Sequence, residues 1–455
     1  MKKKLTYIGL LAATGAMVVT GVGMPAAITA AKPAAKHTAA KRTSKPVVIT
    51  YASWGDPTVV NAQIKEFEKT HPGIIVKWDQ QITWPWDQHL AAAAAAGKMP
   101  DVFWVFDGPD DVANGWMANL NPYLKKDKTW NPNNIYGGLA ATGNYFGDQF
   151  MLPMHLYAEG IEINVNLFKQ DNVPLPNANW TLQQFEQDAI KLTKPSIHQF
   201  GVSGIRNFRE KMPVMYDPTH INGFLTWTGK GYDFTDPAWS NSVDLVNKLL
   251  FQLKVSTGLY NSSFLTKWYG KNVSPFMIGK VGMNYGFSWD FPGYTKLPFK
   301  YEFLPLPKVV GQRLPLVTDY MAMSRTSKHP QQAFEFLRWM TYSTAGWTWR
   351  ETHEVAPSMP LIKNPAVWED YLKLKYVPQS MKQLLPMIPN GFLDGYKWLP
   401  GYPTVLNNIV QTNYTKFENG TEKPQDLAQS FQKQATAAYQ QSEQAIKQAI
   451  KRFYS

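Results

Sequence analysis

The chain has 455 residues, about three times the usual length of one domain, so we expect two or more folding units with a sizeable core. Apolar residues make up 44% and aromatic residues 14% of the sequence, which excludes intrinsic disorder for most of it. The sequence contains no cysteine, which excludes disulfide bonds, thiolate metal sites, a cysteine nucleophile and a lipid-modified N-terminal cysteine.

The net charge of +12 is concentrated at the N-terminal end of the sequence. Residues 1–46 contain eight Lys or Arg and no acidic residue, so the other 409 residues carry only +4. A nucleic-acid partner would require a cluster of positive charge on the folded body. We therefore expect no nucleic-acid partner.

The N-terminal segment has the pattern of an export signal. In residues 1–31, three lysines precede an uncharged apolar stretch, and small residues follow it, as in a cleaved signal peptide. An uncleaved anchor is the alternative, because the stretch is just long enough to span a bilayer, although its four glycines disfavour a helix. Residues 32–46 are predicted to form a flexible basic tail. We expect an exported protein, periplasmic or at the cell surface, with no lipid anchor on cysteine.

Strand and helix patterns alternate from the start of the body, which predicts an α/β fold. The β-branched run at 47–51 predicts a strand, and apolar residues at i, i+4 and i+7 from Val60 predict a helix. The runs at 74–76 and 102–105 predict two more strands, with an alanine-rich helix between them. This region therefore reads β-α-β-α-β.

Further along the chain, three patterns predict helices. Thr181 and Gln184 have the spacing of a capping box. Pro330 suits the first turn of a helix, and residues 427–453 form a long amphipathic pattern.

Motifs for catalysis are missing from the sequence. It has no phosphate-binding loop, no dinucleotide fingerprint, no nucleophile elbow and no H-E-x-x-H zinc motif. The eight histidines never lie at i, i+4 or in a short cluster. We therefore predict no catalytic residue, no metal site and no cofactor, and the sequence indicates a binding protein.

Aromatic residues follow the predicted strands, where ligands bind in open α/β sheets. Trp54 and Asp56 follow the first strand, and Trp104 and Asp107 lie in or just after the third. Flat rings beside carboxylates match the apolar faces and hydroxyl rims of sugars. For any single Trp, a place in the core is the alternative. Four further aromatic candidates lie in Gly/Pro-rich surroundings: Trp227, Trp289, Trp398 and Tyr402.

Several short motifs follow one another along residues 47–455. They are Trp54-Gly55, Phe67-Glu68-x-x-His71-Pro72-Gly73, Gly97-x-x-Pro100-Asp101-Val102, Leu152-Pro153, Val165-Asn166, Trp180-Thr181, Phe276-x-x-Gly279-Lys280-Val281-Gly282-Met283, Gly286-x-x-Trp289 and Ser327-Lys328-x-Pro330. Each motif alone is weak, but the ordered set resembles the extracellular solute-binding proteins of ABC importers. The resemblance is to the carbohydrate-type group (family 1) that includes maltose-binding protein.

The resemblance implies a two-lobed periplasmic-binding-protein-like (type II) α/β fold, with a hinge and a ligand cleft between the lobes. The implied boundaries are 47–154 and 316–365 for lobe one, 159–309 and 370–455 for lobe two, and 154–159 and 306–315 for the hinge crossovers. The implied cleft residues are Trp54, Asp56, Trp104, Asp107, Tyr157, Glu159, Trp227, Trp289, Trp398 and Tyr402.

The function implied by the resemblance is the capture of a neutral oligosaccharide and its delivery to the membrane permease of an ABC importer, by a monomer without a cofactor. A secreted glycoside hydrolase using the same aromatic residues is one alternative, and a binder of another small solute is a second. A structural surface protein held by its basic tail is a third.

Overall fold

The computed structural model describes residues 45–353 and 358–454. The predicted signal peptide (1–31) and all but the last two residues of the predicted tail (32–46) lie outside the described residues.

The strands of the described residues are β1 (Val47–Ala52), β2 (Ile74–Trp78), β3 (Val102–Val105), β4 (Asn144–Tyr145), β5 (Asp148–Gln149), β6 (Met151–Asn164), β7 (Phe200–Ser203), β8 (Val281–Phe287), β9 (Tyr301–Leu304), β10 (Pro315–Met323) and β11 (Phe392–Leu393).

The α-helices of the described residues are α1 (Pro57–Thr70), α2 (Trp86–Ala95), α3 (Gly108–Ala113), α4 (Asn121–Leu124), α5 (Val165–Gln170), α6 (Leu182–Lys191), α7 (Phe208–Lys211), α8 (Pro213–Tyr216), α9 (Pro237–Asn247), α10 (Ser262–Tyr269), α11 (Pro330–Thr341), α12 (Thr344–Thr352), α13 (Pro365–Lys373), α14 (Met381–Leu384), α15 (Tyr402–Thr404), α16 (Tyr414–Glu418) and α17 (Pro424–Phe453). Two π-helical segments, Lys248–Gln252 and Val405–Val410, continue α9 and α15.

The helix and strand predictions from the sequence are confirmed. β1, α1, β2, α2 and β3 follow one another as predicted. Thr181 and Gln184 form the capping box of α6, and Pro330 begins α11. The predicted C-terminal helix is α17.

One mixed sheet runs through the described part of the chain in the order β2-β1-β3-β10-β6-β8-β7, with β11 paired to β10 and β9 paired to β6. β1 is parallel to β2 and β3, and β7 is parallel to β8, whereas β10 is antiparallel to its neighbours β3 and β6.

The long strand β6 joins two halves of the molecule. Met151 to Ala158 pair with β10, and Glu159 to Asn164 pair with β8 and β9. β6 thus changes partners between Ala158 and Glu159, and the crossover bounds 154–159 stay a prediction.

Two hydrophobic cores lie on the two sides of this point. The first core gathers buried residues of β1, β3, β10, α1 and α11, and the second gathers those of β7, α6, α9 and the segment 392–435. Met381, Leu384 and Ile388 belong to the first core, although they lie in the range 370–455 predicted for lobe two. The exact lobe boundaries stay a prediction.

The helix α17 contacts both cores. Phe431 and Ala435 pack in the second core, and Ile446 packs in the first. Near the end of the helix, the Phe453 ring lies so close to Gly115 that a Cβ atom at position 115 would approach it to 2.5 Å. Among the described residues, no helix is long and apolar enough to cross a membrane.

Candidate ligand-binding site

The first aromatic wall consists of Trp54, Trp84, Phe106 and Tyr396. Trp54 follows β1 and Phe106 follows β3, so both lie at the carboxyl ends of parallel strands. Trp84 lies 5.8 Å from Trp54 and 4.7 Å from Phe106, and Phe106 lies 5.2 Å from Tyr396, measured between ring centroids. Trp84 is 54% exposed, so this wall presents an aromatic face to solvent.

Two buried rings support the first wall from behind. Trp86 and Trp104 each meet Trp54 edge-on at 4.8 Å. Trp104 is buried because it lies inside β3, and its indole nitrogen donates a hydrogen bond to the hydroxyl of Tyr51. The structure thus places Trp104 in the core, where it fixes the orientation of Trp54.

The second aromatic wall consists of Tyr157, Phe287 and Trp289. Trp289 stacks on Phe287 with the ring centroids 4.1 Å apart and the planes inclined by 8°. Tyr157 meets Trp289 edge-on at 5.2 Å. Phe287 ends β8 and pairs with Glu159 of β6, so this wall lies on the second-core side of the crossover.

The ring of His155 lies near Trp104, which supports the first wall, and near Tyr157 of the second wall. Its centroid lies 5.3 Å from that of Trp104 and 5.7 Å from that of Tyr157. Because His155 and Tyr157 belong to β6, the two walls flank the point where this strand changes partners. We name the site formed by both walls and this point the interlobe site.

His155, Asp319 and Lys397 form an ionic triad, in which His155 and Asp319 are buried and Lys397 is half-buried. Asp319 of β10 faces His155 Nδ1 at 3.0 Å and accepts a hydrogen bond from the ammonium of Lys397. Burial alone would raise the pKa of Asp319, but Lys397 and His155 hold it well below its ordinary value. Burial lowers the pKa of His155, partly offset by its contact with Asp319. The Lys397 ammonium also lies 5.8 Å from the ring centroid of Trp54.

A second set of buried polar side chains surrounds the carboxyl group of Glu159. Its carboxylate accepts a hydrogen bond from the hydroxyl of Tyr285 and lies 3.8 Å from the Lys211 ammonium. Burial raises the pKa of Glu159 to about 7, partly offset by Lys211. Burial alone would lower the pKa of Lys211, but Glu159 and Glu210 together raise it. The cation of Lys211 is therefore held by two acidic groups.

The two predicted aspartates cap helices. Asp56 is exposed and accepts hydrogen bonds from two backbone amides at the start of α1. Asp107 caps α3, and burial, followed by the nearby Asp110, raises its pKa to about 7. The next residue, Gly108, donates its amide to the carbonyl of Lys397 at 3.0 Å, and a Cβ atom there would meet this oxygen at 2.8 Å. Asp107 thus lies beside the segment that carries Lys397.

Three predicted site residues have other surroundings. Trp227 and Tyr402 are buried in the second core, where Trp227 packs against Tyr232 and Tyr439. Trp398 is half-buried and packs against both cores, with its indole nitrogen bonded to the carbonyl of Asp394. All three side chains pack against the hydrophobic cores, and the ring contacts of the two walls do not include Trp227 or Trp398.

The sequence interpretation missed several residues of the interlobe site: Trp84, Phe106, His155, Phe287, Asp319, Tyr396 and Lys397. Phe106 could have been found, because it directly follows the third predicted strand. The pairing of Asp319 with Lys397 has no local signal, since the two residues are 78 positions apart. In the part of the chain that the structure describes, no group of three His, Asp or Glu is arranged to hold a metal ion.

The family model of the bacterial extracellular solute-binding proteins matches residues 51–346, more than half of the chain. The chain belongs to this family. The protein therefore acts outside the cytoplasm as a solute-binding protein, in agreement with the resemblance found in the sequence. A comparison with curated protein sequences gave no match.

Solved structures of similar fold cover most of the chain. An ABC substrate-binding protein from Listeria monocytogenes, in complex with cycloalternan, is 20% identical with a TM-score of 0.73, covering 86% of this chain and 99% of its own. A sugar transporter protein from Rhizobium etli in an open conformation is 18% identical with a TM-score of 0.69 and the same coverage, 86% and 99%. The GacH receptor of Streptomyces glaucescens, solved unliganded and with acarbose, is 15% identical with a TM-score of 0.64, covering 87% of this chain and 99% of its own. These likenesses establish the two-lobed type II fold.

Proposed function

We propose that the protein is the extracytoplasmic receptor of an ABC sugar importer and that it binds a neutral oligosaccharide at the interlobe site. The observation that carries the proposal is the presence of two partly exposed aromatic walls on opposite sides of the β6 crossover. Trp84 is 54% exposed and Trp289 is 37% exposed, so both rings offer a face to a ligand. Rings on two sides of a cleft suit the two apolar faces of pyranose units.

A neutral ligand is favoured because the cations of the site already have acidic partners. Lys397 pairs with Asp319, and Lys211 lies near Glu159 and Glu210. An anionic solute would have to compete with these carboxylates for the ammonium groups, at the cost of leaving a buried acid unpaired. A neutral sugar needs only hydrogen bonds from groups such as His155 and Lys397.

Ligands of structurally similar proteins support the sugar assignment. Their solved complexes contain cycloalternan, mannotriose and acarbose, all of them bound to proteins of the same fold. The identity of these proteins to our chain is 15–20%, so the individual sugar has to be found by experiment.

The remaining parts of the proposal follow from the family role. The receptor would be a monomer whose two lobes, 47–154 with 316–365 and 159–309 with 370–455, close over the sugar by bending at crossovers 154–159 and 306–315. It would then deliver the sugar to the membrane permease. Export would use residues 1–31 as a signal peptide, with no lipid anchor on cysteine.

A glycoside hydrolase is the competing function. It would need two carboxyl groups free to act on the sugar. In the interlobe site, Asp319 is engaged by His155 and Lys397, and Glu159 is engaged by Tyr285. This engagement favours a binder that does not turn the sugar over.

The experiment is a thermal-shift screen of the purified protein over neutral mono- and oligosaccharides, followed by chromatography of the ligand after long incubation. A ligand at a hundred times its Kd should add about 2.7 kcal/mol to the free energy of unfolding. We expect a shift with at least one neutral oligosaccharide, which is recovered intact. Cleavage of the sugar would favour the hydrolase, and shifts only with non-sugar solutes would contradict the proposal.

A further inference from the structure

On the second-core side of β6, two sequence segments contain basic residues but no acidic residue. Residues 189–209 and 245–289 contain nine Lys or Arg and no Asp or Glu. Residues beyond 46 carry +4 in total, so the body outside these two segments has a net charge of −5. The positive charge of the body is therefore concentrated in these two segments.

The fold brings the two segments together at one end of the sheet. The ring of His198, just before β7, stacks on Trp268 of α10 at 4.3 Å, and the Tyr269 hydroxyl donates to the His198 carbonyl. The amide of Phe200 donates to the carbonyl of Lys280, just before β8. The segment of Lys254 joins them, because the carbonyl of the next residue, Val255, accepts a hydrogen bond from the amide of Val202 in β7. The residues around α10, the start of β7 and the start of β8 thus form one surface with Lys254.

Four lysines of this surface lack an acidic partner. Lys254, Lys267 and Lys271 are exposed and Lys280 is half-buried, and none of the four forms an ion pair within the described residues. Four other basic residues of the two segments are paired: Lys194 with Asp171, Lys248 with Glu186, and both Arg206 and Arg209 with Glu418.

Exposed apolar side chains lie among these lysines. Phe264 of α10 is 50% exposed and Ile197, next to His198, is 49% exposed. Trp268 is half-buried and lies 5.8 Å from Phe264 between ring centroids. We name this surface, defined by Lys254, Phe264, Lys267, Trp268, Lys271 and Lys280, the basic aromatic face.

The basic aromatic face lies at the opposite end of the sheet from the interlobe site. Phe200 at the start of β7 pairs with Val281 at the start of β8, whereas Phe287 at the end of β8 belongs to the second aromatic wall. At about 3.3 Å per residue, these two ends of β8 are about 20 Å apart. A partner on the basic aromatic face would therefore leave the interlobe site open.

We propose that the basic aromatic face binds the surface of an anionic lipid bilayer. Lysines beside exposed Phe and Ile side chains and a half-buried Trp are the composition with which proteins bind the membrane interface, because the cations meet the headgroups and the apolar side chains enter the acyl boundary. A second copy of the chain is disfavoured, since two such faces would repel each other. A soluble polyanion would use the lysines but would not explain the exposed Phe264 and Ile197.

The first experiment measures binding of the full chain to vesicles of phosphatidylcholine with and without phosphatidylglycerol, by flotation. The test variant replaces Lys254, Lys267, Lys271 and Lys280 with Gln. The control variant replaces four exposed lysines on the first-core side with Gln, so that both variants lose the same charge. These lysines are Lys65, Lys98, Lys125 and Lys128. At about 1 kcal/mol per lysine near the surface, the loss of four lysines should lower the vesicle affinity of the test variant by up to roughly a thousandfold. The control variant should keep most of its affinity.

The second experiment identifies the face that touches the bilayer, independently of the basic N-terminal tail. Because the chain has no cysteine, Ser263→Cys on α10 and Ser430→Cys on α17 each give one labelling site at an exposed helical serine. A fluorescent label at position 263 should be quenched by spin-labelled lipid in phosphatidylglycerol vesicles. A label at position 430 should not be quenched.

The outcomes separate the possible partners. Quenching at 263 alone, together with the loss of affinity in the test variant, would support the proposal. Equal quenching at both positions, or equal affinities of the two lysine variants, would overturn it. Binding of inorganic polyphosphate that depends on the same lysines, without quenching in vesicles, would replace the bilayer with a soluble polyanion. Neither the flotation assay nor the quenching assay depends on sugar binding. Their outcome is therefore independent of the test of the proposed function.

Discussion

Trp289 lies flat on Phe287, with an inclination of only 8° between the planes, and yet 37% of its surface is exposed. Phe287 is the last residue of β8 and is paired to β6, so the rigid sheet fixes the orientation of the exposed indole. A ring that is fixed before binding loses little conformational entropy when a sugar stacks on it. This arrangement makes Trp289 the residue on which the proposed function depends most.

Replacing Trp289 with Ala should weaken sugar binding by about 2–4 kcal/mol, the range of a binding hot spot. The stability of the ligand-free protein should change little, because the side chain is partly exposed. Calorimetric titration with the best sugar of the screen and chemical denaturation of the unliganded variant measure the two effects. Normal affinity in a folded Trp289→Ala variant would remove this residue from the site.

Trp104 offers the contrasting case within the same aromatic system. Its ring is 5% exposed and packs behind Trp54, so Trp104→Ala should reduce the free energy of unfolding by about 3–5 kcal/mol through the cavity it leaves. Chemical denaturation of the variant tests this. A stability close to that of the wild type, together with a loss of affinity, would show that Trp104 contacts the ligand directly.

Asp319→Asn should destabilise the protein by about 3–5 kcal/mol at neutral pH, because Lys397 would lose its buried partner. The folded pKa of Asp319 lies below its unfolded value, so its contribution is present above about pH 4 and is lost as the pH falls through the folded pKa. The difference in unfolding free energy between wild type and variant should therefore shrink in acid. Urea denaturation of the wild type and the variant at neutral pH and again below pH 4 measures this difference.

The exposed residue Asp56 provides a control for that experiment. Asp56→Asn keeps a side chain that can cap α1, so its effect on stability should be small at neutral pH. If Asp319→Asn were no more destabilising than Asp56→Asn, the ionic triad would have no role in holding the crossover together.

Sugar binding should make the molecule more compact. The two cores are joined through β6, whose first half pairs with β10 and whose second half pairs with β8 and β9. A ligand that contacts both walls favours the closed arrangement by its difference in affinity for the two states. Small-angle scattering with and without saturating sugar should show a smaller radius of gyration when bound. Identical curves at demonstrated saturation would contradict lobe closure.

Deleting residues 32–45 should leave both the Tm and the sugar affinity unchanged, since this segment has no large apolar side chain to pack. A deletion that continues through Thr50 serves as the control. It removes most of β1, which pairs with both β2 and β3, and should therefore destabilise the protein strongly. A large loss of stability from the shorter deletion would show that the tail packs on the body.

Local patterns were sufficient to predict much of the fold. The strands and helices from β1 to β3 follow from β-branched runs and an i, i+4, i+7 face, and the capping box at Thr181 marks the start of α6. The path of the C-terminal helix could not be predicted this way. Its apolar face indicates burial, but nothing in its sequence tells that Phe431 and Ile446 enter different cores.

The site could be predicted only in part, for the same reason. Tyr157, Glu159 and Trp289 lie near the point where β6 changes partners, and Trp54 lies in the first aromatic wall. Whether an aromatic residue in a Gly/Pro-rich segment faces a ligand or a core depends on distant partners, as for Trp227, which packs against Tyr439 of α17. The role of the interlobe-site residues in ligand binding remains a prediction, which the titrations above test.

The most direct test of the proposed function is a calorimetric titration of the wild-type protein with matched pairs of ligands. Each pair consists of a neutral oligosaccharide and an anionic counterpart of the same length that carries a phosphate or a carboxylate. We predict saturable binding of at least one neutral sugar and a much weaker response to its anionic counterpart, because Lys397 and Lys211 are held by Asp319 and Glu159. Tight binding of the anionic member alone would contradict the account.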